Sequence, residues 1–166
     1  MKIKAILLLS SCFFWGIQPL AHAAQDEVHI IEQQLHKVPL ANGVKPADAI
    51  QAIKSKAIEL NMKLVSHQPL SSELKARGVD SRRIDIFQFC NPYDARVMVN
   101  FNPIFAAYMP CKIALVEDEK NQHWLLMMSL DVVINKSKLP LVVKKTAERV
   151  NNTLQKILRA GASGEF

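Results

Sequence analysis

The sequence predicts an α+β fold: a single domain in which helices pack on a mixed β-sheet, with a long helix at the C-terminus. Three observations lead there. Arg83 to Cys90, Cys111 to Glu117 and His123 to Leu130 have the length and apolar alternation of strands. Ile50, Ile53, Ala57 and Leu60, and later Val143, Ala147, Val150, Leu154 and Ile157, recur at helical spacing. The two kinds of segment are interleaved along the chain, which implies a sheet with helices laid on it.

The chain opens Met1-Lys2-Ile3-Lys4, continues with an apolar run from Ala5 to about Pro19, and reaches Leu20-Ala21-His22-Ala23-Ala24. A charged start, a short apolar stretch and a small-x-small site together read as a secretory signal, residues 1–23, cleaved near Ala23. The run is too short and too interrupted to span a bilayer. Periplasmic location or secretion is therefore expected. The alternative is a lipoprotein anchored through Cys12, since Leu9-Ser10-Ser11-Cys12 loosely matches a lipidation box.

After the signal the sequence predicts one domain, residues 24–160, and then a flexible tail, 161–166. Val28 to Leu40 is β-prone. Asn42-Gly43 turns the chain, Pro46 suits a helix start, and the helix ends near Asn61. Met62 to Val65 is a short strand. Ser71 or Ser72 caps a short helix that stops at Gly78. The strand ending at Cys90 is terminated by Asn91-Pro92, because proline cannot continue a central strand. Tyr93 to Tyr108 is a helical crossover interrupted at Asn102-Pro103 and closed by Pro110. Two strands then flank the turn Asp118 to Asn121, and the last helix is expected over 139–160.

Signal cleavage removes Lys2 and Lys4 and no acid, lowering the formal charge of +6 by two. The rest is spread along the chain, and the basic face of the last helix reads as a solvated face, so no nucleic-acid partner is implied. No further apolar stretch reaches membrane-spanning length.

At Phe87-Gln88-Phe89-Cys90-Asn91-Pro92 the chain resembles the family of domain of unknown function 302. The likeness extends from about 44 to 130. It takes in the helix Ala47 to Leu60, the crossover Asn102 to Pro110, and the hairpin with Val116-Glu117-Asp118 and Trp124-Leu125. It implies a small α+β fold and brings no catalytic residue. The chain is similar to a cysteine-bearing, exported branch of that family.

Cleavage leaves two cysteines, Cys90 and Cys111, each at a strand end. In an oxidising compartment their default reading is a structural disulfide. It would close a loop of about 21 residues and contribute about 3 kcal/mol in the chain-entropy model. Three alternatives stay open. The pair could be redox-active, with Cys90 before a helix start that lowers its pKa. It could hold copper or zinc together with Met109, His67 or His123. The thiols could also sit unpaired in a ligand cavity. Phe101, Phe105, Tyr108 and Met109 of the crossover could roof such a pocket. No phosphate loop or hydrolase motif is present. The reading that asks least is a binding or accessory module for an unidentified small ligand or protein, without cofactor and not an enzyme.

Overall fold

Residues 35–165 are described by a computed structural model. The signal segment, Cys12 and the first part of the expected N-terminal strand lie outside the described residues. Among the described residues, five strands and five α-helices occur in order. They are β1 (Leu35–Pro39), α1 (Pro46–Glu59), β2 (Lys63–Gln68), α2 (Leu70–Ala76), β3 (Ile84–Cys90), α3 (Pro92–Phe101), β4 (Cys111–Glu117), β5 (His123–Met128), α4 (Asp131–Lys136) and α5 (Leu141–Ser163). A 3-10 turn, Pro103–Tyr108, joins α3 to β4.

The strands form one sheet in the order β1-β5-β4-β3-β2. The fold is α+β as expected, but the sheet is antiparallel throughout, not mixed. A parallel pair needs a connection that carries the chain back along the whole strand. Here α3 and the 3-10 turn fold the chain back on itself, so β4 begins at the sheet end where β3 stopped: Cys111 pairs with Phe89.

Alternation then sorts the side chains. Phe87, Phe89, Ile113, Leu115, Leu125 and Met127 are buried on one face, with Phe87 opposite Ile113 and Leu115 opposite Leu125. Met128, next to Met127, is exposed on the other face. A bulge between Leu64 and Ser66 adds a residue to β2, so Leu64 pairs with Phe89 and His67 with Phe87. The extra residue keeps both side chains on the buried face.

Helix α5 covers that face. Val143, Ala147, Val150, Leu154 and Ile157 are all buried, so the predicted stripe is an integral wall of the core. The helix runs to Ser163, past its expected end, and is stopped by Gly164 at φ 69°. Gly161 and Ala162 are buried, and the Ala41 N–H donates to the Ala162 carbonyl at 2.8 Å. Residues 161–163 thus belong to the fold and not to a frayed tail. A Cβ on Gly161 would lie 2.5 Å from Ile53 Cγ1 and 2.9 Å from Leu125 Cδ1, so only glycine lets α5 come this close to α1 and the sheet. Opposite it, α1 buries Ala49, Ala52 and Ala57 around Ile53, small side chains that allow the close crossing.

Helix α2 starts at Leu70 after Pro69, with no side-chain cap, so Ser71 and Ser72 lie inside it and not before it. Helix α4 has no counterpart among the elements expected from sequence. Asn151, buried in α5, accepts from the Leu130 N–H at 3.1 Å and donates to Asp131 at 2.8 Å. Ser129 bonds both the side chain and the N–H of Asp131. These bonds hold the turn that starts α4 and fix the position of Leu130. Among the described residues, no helix is long and apolar enough to cross a membrane.

Candidate functional site

The Asn91-Pro92 junction builds one end of the sheet. The Asn91 side chain accepts from the N–H groups of Tyr93 and Asp94, capping α3, while Pro92 takes the first helical position where no N–H is needed. The Asn91 amide also donates to the Asn61 carbonyl at 3.1 Å. That bond ties the start of α3 to the turn after α1, where Asn61 adopts φ 56°. It brings Met62 beside Cys90. Helix α3 presents Asp94, Ala95 and Met98 to the same space, at i, i+1 and i+4. The crossover returns through Tyr108, Met109 and Pro110 to Cys111, and Leu130 with Val150 forms the rear wall.

The cavity, partly open to solvent, measures about 30 Å3. Among the described residues, every methionine and cysteine except Met127 and Met128 lines it: Met62, Cys90, Met98, Met109 and Cys111.

The expected disulfide is not formed; Cys90 and Cys111 are free thiols. The register explains this. The residue across from Cys111 is Phe89, so Cys90 is offset by one position and the two Cβ atoms are not a facing pair. The thiols share the cavity without bonding. Burial is the main cause that pushes Cys111 up to about 11, with charge on Cys90 adding to it against a weaker backbone hydrogen bond. Burial, then the Asp94 carboxylate, raises Cys90 as well. The lowered pKa expected from a helix start is therefore reversed: desolvation and Asp94 outweigh the dipole. Asp94 itself is paired with Arg149 of α5.

Of the other residues singled out by sequence, Tyr108 and Met109 line the cavity, whereas Phe101 and Phe105 do not. Phe105 is buried in the core, its ring 6.3 Å from Phe101 and 6.4 Å from Tyr108, and Phe101 is exposed. These rings buttress the crossover from behind. His67 and His123 are also elsewhere. His67 Nε2 lies 2.8 Å from Asp85 Oδ1, its ring stacked on Phe87 at 4.3 Å. His123 lies 4.0 Å from Glu117. Met62 and Met98 are cavity residues that the sequence reading misses. For Met98 a signal exists, since it shares a helical face with Asp94 and Ala95. For Met62, at a turn, there is none.

Two conspicuous polar features are structural. Asp85, buried within β3, also accepts from Arg83 Nη1 at 2.9 Å, so both carboxylate oxygens are occupied. At the hairpin tip, Asp118 accepts from the N–H groups of Lys120 and Gln122 and from Trp124 Nε1. The acid of the tip closes its own turn, and the Trp124 bond, ahead of the backbone ones, holds its pKa below the ordinary value.

Fold and site together define a small one-sided antiparallel sheet, backed by helices, with an apolar sulfur-lined cavity at one end. The chain belongs to the family described as Domain of unknown function DUF302, which matches residues 36–160 and so includes most of α5. An uncharacterized conserved protein DUF302 from Bacillus stearothermophilus has a similar crystal structure. Its TM-score is 0.64 at 17% identity, with 76% of this chain and 97% of that chain covered, a likeness of fold. No curated protein matches the chain.

Proposed function

We propose that this chain is an exported binding module whose ligand site is the cavity between the end of β3, helix α3 and helix α5. The observation that carries the reading is the convergence of side chains from five separate segments on one small apolar space that holds both cysteines. A purely structural core would fill such a space. A thiol–disulfide enzyme is less well supported, because its attacking thiol needs a depressed pKa and both thiols here are shifted upward.

Native mass spectrometry of protein taken from the exported fraction tests the reading. An adduct is expected that disappears in Ala95→Leu, whose added methyl groups enter the cavity. No adduct, or one indifferent to that substitution, would overturn it. N-terminal sequencing of the same material should begin at Ala24. An intact Met1 would overturn export by signal cleavage, and a chain beginning at a lipidated Cys12 would overturn cleavage after Ala23 in favour of the lipoprotein.

A further inference from the structure

We propose that the cavity is a binding site for a single soft monovalent metal ion, Cu(I), held by the sulfurs of Cys90 and Cys111 with thioethers drawn from Met62, Met98 and Met109. This rests on the reading of the cavity as a ligand site and names the ligand. Size is the first argument. A space of about 30 Å3 admits one water-sized body. The space within the cavity is therefore of the right order for one ion.

Donor chemistry is the second argument. Among the described residues, no three His, Cys, Asp or Glu side chains gather to hold a metal. The sulfur-bearing residues that line the cavity are two cysteines and three methionines, beside Asn91, Asp94 and Tyr108. Thioether sulfur is a poor ligand for Mg(II), Ca(II) or Zn(II) and a good one for Cu(I). The carboxylate at the rim, Asp94, is engaged by Arg149, which also offsets its charge beside the thiols. Apolar packing accounts for any one methionine, since methionine fills core gaps. It does not account for three methionines and both cysteines meeting at one cavity while Met127 fills the core elsewhere.

Binding is balanced without an oxidant or reductant. Cu(I) enters as the cuprous ion, each thiol exchanges its S–H bond for an S–Cu bond, and two protons leave to water. The resulting centre carries one net negative charge, and Arg149 lies behind Asp94 on the same side of the cavity.

The test uses the full mature chain, reduced and kept under argon, titrated with Cu(I) supplied by a chromophoric cuprous chelator. One ion per chain is expected, with Ag(I) competing for the same site and Zn(II) unable to displace either. X-ray absorption of the copper form should show sulfur scatterers alone. Cys90→Ser with Cys111→Ser should weaken binding by at least about a hundredfold, and Met98→Leu by about tenfold, each judged on protein whose cooperative thermal transition is retained. Should the double serine variant fail to fold, Met98→Leu combined with Met109→Leu takes its place, because that swap conserves volume. Failure of the reduced, folded chain to take up Cu(I) or Ag(I) overturns the proposal, as does nitrogen or oxygen coordination, or uptake unchanged by these variants. If the ion does not bind but the exported protein still carries an adduct lost in Ala95→Leu, the binding module stands and the soft ion falls. If neither is seen, both fall.

Discussion

The two ends of β3 bury polar chemistry in opposite ways. Near its start, Asp85 is a carboxylate enclosed in the core with His67 on one oxygen and Arg83 on the other. At its close, Cys90 joins Cys111 in a cavity where two neutral thiols bond to no partner side chain. A buried charge left unpaired costs several kcal/mol, so the first end has its valences filled by protein. A protonated thiol behaves as a small hydrophobe and tolerates an apolar wall. The first arrangement stabilises and leaves nothing to offer a ligand; the second leaves sulfur lone pairs available.

The largest perturbation tests whether both ends share one support. Deleting the chain from Lys138 removes α5, the rear wall of the cavity and the cover of the whole sheet. The truncated protein is expected to lose its cooperative unfolding transition altogether. A soluble, monomeric, two-state product would show that the sheet stands without its wall. Next in size is Asp85→Ala, which removes the shared partner of the partly exposed Arg83 and His67 and should cost about 1.5–3 kcal/mol in urea unfolding. A cost below about 1 kcal/mol would erase the contrast between the two ends.

Titration sharpens the comparison from the other side. The thiol of Cys111 has an ordinary value of 9.0 unfolded and about 11 folded. Its raised value means the folded state holds the proton more tightly. The associated stability is fully present below pH 9 and is lost as pH climbs from 9 through 11, by about 2–3 kcal/mol. Cys111→Ser should remove that slope, measured as the difference between the two proteins so that lysine titration cancels. Below pH 9 both thiols should react slowly with iodoacetamide, Cys90 first because it is less enclosed.

Met98→Leu is expected to change stability by less than about 1.5 kcal/mol, because it conserves volume. A small effect here beside a large one at Asp85 is what the contrast requires. Least of all, Trp124→Phe removes the bond that does most to lower the Asp118 pKa. That carboxylate is exposed, so its contribution is screened. It is present above the ordinary value of 3.8 and lost as pH falls through the folded value. The variant should unfold in acid at slightly higher pH than the native chain, a shift that salt reduces.

Local patterning in the sequence was enough to determine the α+β class, the three apolar strands, the hairpin turn at Asp118 and the buried stripe of α5. Each arises from which side chains repeat on one face of one element, and periods of 2 and 3.6 record that directly. Contacts that cross between elements were decided by the tertiary structure. The sheet is antiparallel because of how the crossover folds, and Gly161 is part of the core because Ile53 and Leu125 reach it. Asp85 alternates with isoleucines as an ordinary strand residue, and only the bulge in β2 brings His67 to it. Met62 reaches the cysteines because Asn91 bonds to the carbonyl beside it. A disulfide was the natural reading of Cys90 and Cys111 as a pair. The register set Phe89 against Cys111 instead, a one-residue offset that periodicity within either strand does not encode.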